Sequence, residues 1–212
     1  MTENEDTRTN TEIKKVSLVL PDAINCSNMF AYCTNLTDVD LELPNATECR
    51  QMFYHCPNIT NVRLIAPKAT YYLAIFSGST SLQTVELNLP QADMCKGMFA
   101  GCESLTSVEL NIPQATDCYA MFAGCSSLTD VDLSLPQTTD CHNMFSSCSS
   151  LTDVTLNLPQ LSDYSYMFYN CSALETIDVT IPTSIVNDFK SYVLGLELEN
   201  LISFIINGEE QL

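Results

Sequence analysis

At 212 residues, with 46% apolar and 16% charged side chains, the chain is long enough for one substantial core or one elongated array, and its apolar content argues against disorder throughout. Its 26 acidic residues against 8 basic ones give a formal charge of -18, which repels phosphate backbones and anionic bilayers, so nucleic acid and lipid surfaces are poor partners. No apolar run approaches the ~20 residues of a membrane-spanning helix, so no membrane insertion is expected.

The first fifteen residues, MTENEDTRTNTEIKK, lack the apolar stretch and small-residue cleavage site of a secretory signal. They read as a disordered N-terminal segment, 1–15, ahead of a repeat array over 16–182.

The array announces itself through proline. Pro21, Pro44, Pro67, Pro90, Pro113, Pro136, Pro159 and Pro182 follow one another at intervals of 23 residues. The same period governs Phe30, Phe53, Phe76, Phe99, Phe122, Phe145 and Phe168, each preceded by Met or, once, by Ile75. Before each proline runs an alternating segment such as Val39-x-Leu41-x-Leu43, which puts its apolar residues on one face of a short strand. Proline, lacking an N–H, ends the strand. One such unit cannot bury its apolar face alone, so stacked units are predicted: a right-handed solenoid of eight rungs, mainly β with short helical or irregular segments, carrying a parallel β-sheet along one face. At ~4.8 Å between strands the body is roughly 40 Å long.

The unit C-x-x-M-F-x-x-C-x-x-L-T-x-V-x-L-x-L-P, seen at Cys118 to Pro136, resembles the BspA-type, or Treponema pallidum-type, leucine-rich repeats in their Met-Phe variant. The resemblance covers about residues 16–182. It implies a curved leucine-rich-repeat solenoid, common in surface proteins of bacteria and protozoa that adhere to host proteins or other cells. It implies no enzyme activity, no catalytic residues and no cofactor.

All 11 cysteines fall in two columns, Cys26, Cys49, Cys95, Cys118 and Cys141, then Cys33, Cys56, Cys102, Cys125, Cys148 and Cys171. Tyr72 and Tyr164 interrupt the first column and Ser79 the second. Spacings of seven and 16 do not match zinc ligation, and His55 and His142 occupy different columns. Same-column thiols in neighbouring rungs would lie within disulfide reach, yet their odd number and the interruptions favour a ladder of buried free thiols and a reducing setting.

The outward strand positions form two further columns, of which the first is Ser17, Asp40, Arg63, Glu86, Glu109, Asp132, Thr155 and Asp178. Glu86, Glu109 and Asp132 stack without relief, whereas Arg63 stands between Asp40 and Glu86; like charges on neighbouring strands are destabilising. Such a stripe either invites a basic partner or cations, or keeps the array soluble. A flat row of carboxylates lacks the paired acid and base environments of a hydrolase.

The third rung, NVRLIAPKATYYLAIFSGST, adds Lys68, Tyr71 and Tyr72 to Arg63, an outlier that reads as a contact site or as repeat drift. Gln91, Gln114, Gln137 and Gln160 follow the prolines, placed for amide ladders or for hydrogen bonds to sugars. Asn25, Asn35, Asn45, Asn58 and Asn170 each head an N-x-S/T triplet.

After Pro182 the period fails, and 183–212 reads as a C-terminal cap with a helical segment near 184–194 and a strand at 202–206. No comparable apolar element precedes Val16, so the first rung is expected to be open, predicting a missing upstream domain or self-association. The residues together point to a non-enzymatic binding or adhesion module for a protein or glycan. The alternative is a structural component of a larger assembly, such as a surface layer or virion, joined through its N-terminal end. The resemblance favours the cell surface, while the absence of a signal-like start leaves an intracellular or virion-associated place open.

Overall fold

The computed structural model describes residues 11–212. The expected disorder of residues 1–10 lies outside the described residues. Within 11–15 the expectation does not hold, because the chain is already engaged with the second rung: the Thr11 carbonyl accepts Asn35 Nδ2 at 2.6 Å, and the Lys14 carbonyl accepts the Thr37 N–H at 2.8 Å.

Seven five-residue strands carry the array: β1 (Lys15–Val19), β2 (Asp38–Glu42), β3 (Asn61–Ile65), β4 (Thr84–Asn88), β5 (Asp130–Ser134), β6 (Asp153–Asn157) and β7 (Thr176–Thr180). A fixed period of 23 makes equivalent residues neighbours, so Val39 pairs with Val62 and Leu41 with Leu64 in parallel register. The inward residues Val39, Leu41, Val62 and Leu64 are buried, as the alternation requires. The cap follows as a 3-10 turn (Thr183–Ile185), helix α1 (Val186–Leu194), β8 (Ser203–Ile206), parallel to β7, and β9 (Glu209–Glu210), antiparallel to β8. Phe189 and Phe204 of this cap are fully buried and close the core at that end.

The sheet comes in two blocks rather than one: β1-β2-β3-β4, then β5-β6-β7-β8-β9. Between them the fifth rung's segment, residues 107–111, forms no strand and no backbone hydrogen bond to either neighbour. The inward residues at this seam, Val85, Leu87, Val108 and Leu110, are only partly buried. On the opposite side the array is unbroken, since parallel bridges run from Asn25 through Glu48, Tyr71, Met94, Asp117 and Asp140 to Asp163.

A second periodic device sits beside those bridges. Each of the first seven rungs holds two left-handed residues four apart: Asn28 and Tyr32 in the first, Ala74 and Gly78 in the third, Tyr166 and Asn170 in the seventh. This conformation turns successive N–H groups along the stack, as when Ala74 N–H reaches the Lys96 carbonyl at 2.8 Å and Gly78 N–H the Ala100 carbonyl at 2.8 Å.

Inside, the seven phenylalanines form a continuous parallel stack with centroids 5.4 to 5.9 Å apart. Aromatic pairs of this kind add roughly 0.5–1.5 kcal/mol each beyond area burial. The regularity of the sequence is thus a regularity of the core.

Candidate binding surface

The entry halves of β1 to β4, inward valines and outward polar residues together, line an open groove of about 700 Å³ that includes Arg63. Its guanidinium reaches three carboxylates, Asp40 at 2.8 Å and Glu42 at 3.0 Å through Nη1, and Glu86 at 3.4 Å through Nε. The hydrogen bonds to Asp40 and Glu42 hold the guanidinium even more firmly charged than usual. Three carboxylates around one cation leave the cluster net negative.

At the strand entries, Lys15 lies 3.1 Å from Asp38. Asp38 is held below the usual carboxylate range, first by the Thr37 hydroxyl at 2.7 Å and then by Lys15 and Asn61. Asp153 is lowered in the same way by the hydroxyls of Thr176 at 2.6 Å and Thr152 at 2.7 Å. Threonine beside or beneath aspartate therefore keeps this face ionised.

Of the residues singled out from the sequence, Asp40, Arg63 and Glu86 come together as one cluster on the first block. Glu42 completes it; its place diagonal to Arg63, 21 residues earlier, was the available signal. Asp132 and Asp178 stand exposed on β5 and β7 of the second block, with Thr155 of β6 between them. Glu109 is exposed in the unpaired fifth rung, midway in the Glu86–Glu109–Asp132 column. The interruption of the sheet coincides with the one place where three acidic residues stack unrelieved.

The third rung does not act as a unit. Lys68 is exposed and donates to Asn45 Oδ1 at 2.6 Å, at the strand exits. Tyr71 is half-buried on the far side, among the parallel bridges.

Tyr72 is corrected outright as a contact residue, because it is fully buried in the first cysteine column. The reason is compensation: Ala66 stands where other rungs carry Leu or Ile, and the Tyr72 hydroxyl donates to the Ala66 carbonyl at 3.0 Å. The phenol is pushed up in pKa chiefly by that burial.

The post-proline glutamines are exposed and make no hydrogen bonds to one another. The asparagines of the N-x-S/T triplets serve the stack instead: Asn45 Nδ2 donates to the Pro21 carbonyl at 2.8 Å and Asn58 Nδ2 to the Thr34 carbonyl at 2.7 Å.

All 11 cysteines are free and buried. In the second column the thiol donates to the phenylalanine carbonyl of the preceding rung: Cys56 to Phe30 at 3.0 Å, Cys125 to Phe99 at 3.2 Å, Cys148 to Phe122 at 3.1 Å. Burial raises Cys49, Cys56, Cys118 and Cys171 to about 12. A thiol so placed is neither a nucleophile nor a ready metal ligand at neutral pH. Among the described residues no group of three or more His, Cys, Asp or Glu is placed to hold a metal ion, and no helix is long and apolar enough to cross a membrane.

Stacked parallel rungs of 23 residues, a phenylalanine spine and an exposed strand face define a leucine-rich-repeat solenoid, a fold that generally serves as a non-enzymatic scaffold. The family model for the BspA type leucine rich repeat region, in six copies, matches residues 9–117 and 74–197. The chain belongs to that family, which commonly acts in binding and adhesion.

A crystal structure of a leucine-rich repeat protein from Bacteroides ovatus ATCC 8483 is similar, with a TM-score of 0.54 and 19% identity over 92% of this chain. At that identity the likeness concerns the fold. The chain spans 42% of that protein's length. No curated protein matches it.

Proposed function

We propose that this chain is a non-enzymatic binding module that presents the outward face of its strands, above all the Arg63 cluster of the first block, to a protein or glycan. The observation that carries this reading is the groove over β1 to β4, lined by Asp40, Arg63 and Glu86, with Glu42 beside it completing the ring of carboxylates around Arg63. Planar guanidinium and carboxylate groups in a shallow groove suit the hydroxyls of a sugar chain or the basic side chains of a protein. The net charge of -18 favours a basic protein. The non-enzymatic part is supported by the buried, protonated thiols and by carboxylates spread in rows without an acid and base pair.

The test is binding of the purified chain to a glycan array and to arrays of basic and neutral peptides, repeated with Arg63→Glu, with Thr155→Lys and with Ser149→Lys. Ser149 is exposed in a turn outside the strands and serves as the control. Ligands lost with Arg63→Glu and kept with Ser149→Lys support the reading. Ligands indifferent to both strand-face changes count against it.

A further inference from the structure

The seventh rung departs from the sixth at two outward positions beside the cap. Where the sixth carries Asn143 and Ser146, the seventh carries Tyr166 and Tyr169, 58% and 50% exposed. The sixth rung stacks without these rings, so the array does not require them. They meet edge to face at 6.0 Å and extend a ladder that runs through His142 and Tyr119 at centroid distances of 5.8 and 5.4 Å.

Tyr169 also lines a cavity of about 470 Å³ between the seventh rung and residues 195–200, the loop that follows helix α1. The loop is fastened to the rung, since Asn200 Nδ2 donates to the Ser172 carbonyl at 3.1 Å. It brings half-buried Leu196 and Leu198 and exposed Glu197 and Glu199 to the cavity. Neither glutamate forms an ion pair among the described residues.

We propose that this cavity is a second docking site, one that takes a lysine or arginine side chain from an exposed segment of a protein partner. The site shares no residue with the strand-face groove and does not depend on that reading. Basic side chains combine an apolar stem with a cationic head. The stem would lie against Leu196 and Leu198, and the head over the Tyr169 ring between Glu197 and Glu199.

Lys96 shows this pairing of ring and carboxylate within the chain itself. Its Nζ lies 5.0 Å from the centroid of the Tyr119 ring and 3.2 Å from the Asp117 carboxylate. At the seventh rung the ring and the carboxylates are present without such a cation. A neutral sugar could stack on the tyrosines, but it would leave two neighbouring carboxylates uncompensated, whereas a cation satisfies both features at once.

The experiment is fluorescence anisotropy on the full chain at physiological salt, with labelled peptides in which glycine alternates with arginine, with lysine or with glutamine. Cellopentaose serves as a neutral sugar competitor. Tyr166→Asn combined with Tyr169→Ser restores the residues of the sixth rung and leaves the net charge unchanged. It should weaken the arginine and lysine peptides about two- to thirtyfold, the range of one cation–π contact from exposed to desolvated. The same pair of changes made in Arg63→Glu should give the same loss, which separates this site from the strand face.

Glu197→Gln with Glu199→Gln should weaken the basic peptides by a similar factor. Glu103→Gln with Asp132→Asn, an equal loss of charge at exposed positions elsewhere, should change little. Far-UV circular dichroism checks the fold of each variant. A parent that does not bind the basic peptides, equal binding of the glutamine peptide, or binding untouched by the tyrosine changes would each overturn the proposal. So would equal losses from the two charge-removing pairs, or displacement of the basic peptides by cellopentaose.

Discussion

Ser79 donates its hydroxyl to the Phe53 carbonyl at 3.0 Å, in the place where neighbouring rungs use a thiol. The second cysteine column is therefore a column of small hydrogen-bond donors, and sulfur chemistry is incidental to it. Cys56→Ser should keep the bond to Phe30 and the stability of the parent within a few tenths of a kcal/mol. Cys56→Ala leaves a buried carbonyl without its donor and should cost about 1–3 kcal/mol, read as a shift in the denaturant midpoint. Equal effects of Ser and Ala would show that the bond contributes nothing.

The same thiols make the fold alkali-sensitive. A group whose folded pKa lies above its unfolded value stabilises the fold below the unfolded value and loses that contribution as pH rises through the folded one. Cys49, Cys56, Cys118 and Cys171 go from an ordinary 9.0 to about 12, so these thiols add no pH dependence below about pH 9 and stability should fall between pH 9 and 12. Each of these thiols would withdraw up to roughly 4 kcal/mol across that window. Thermal melts against pH should show the fall, and Cys56→Ser, with one ionisation fewer, should resist alkali better than the parent.

We attribute the seam at the fifth rung to the three-deep Glu86–Glu109–Asp132 stack: a single like-charge pair, Asp130 opposite Asp153, leaves β5 and β6 paired, and Thr155 separates Asp132 from Asp178. Replacing Glu109 by Thr should let residues 107–111 pair with both neighbours. Amide hydrogen exchange should then slow along that segment, and stability should rise by roughly 0.2–1 kcal/mol. Exchange that is already slow in the parent, or that stays fast in Glu109→Thr, would place the cause elsewhere.

The left-handed corners allow a further comparison. Ala120 has φ of 50°, in the column where the preceding rung carries Gly97 at 60°. Ala120→Gly should stabilise by roughly 0.5–1 kcal/mol, since glycine enters this region without a Cβ penalty. Gly78→Ala should be much worse than Gly97→Ala: a Cβ at 78 would lie 2.8 Å from His55 Nδ1, whereas one at 97 meets nothing nearer than 3.9 Å. Chemical denaturation of the three variants orders them.

Much of this architecture was legible in the sequence because a 23-residue period turns each column into a contact. Val-x-Leu strands, the phenylalanine spine and the cap helix, expected at 184–194 and found as α1 at Val186–Leu194, all follow from patterning. The left-handed corners were not legible, since their columns run through Asn, Gln, Ala, Gly, Tyr, His and Ser. The stack, not the residue type, imposes that conformation. Tyr72 misled because tyrosine in an irregular rung resembles a contact residue, and only the small Ala66 six positions earlier reveals the space it fills. The unrelieved carboxylates at Glu86, Glu109 and Asp132 could be read in advance, but not their consequence, because SVELN at 107–111 differs from TVELN at 84–88 by one hydroxyl residue.

The loop-side bridges cross the seam from Met94 to Asp117 and on to Asp140 while the strand side lets go. In a linear array, stability is a sum of terms within rungs and couplings between neighbours, so one weakened coupling divides the chain into two cooperative segments. Pulled from its ends, such a molecule yields first at the fifth rung, flexing about its loop side like a spine with one loose vertebra. A module fastened at one end and engaged along its strands at the other would carry its own point of compliance between them.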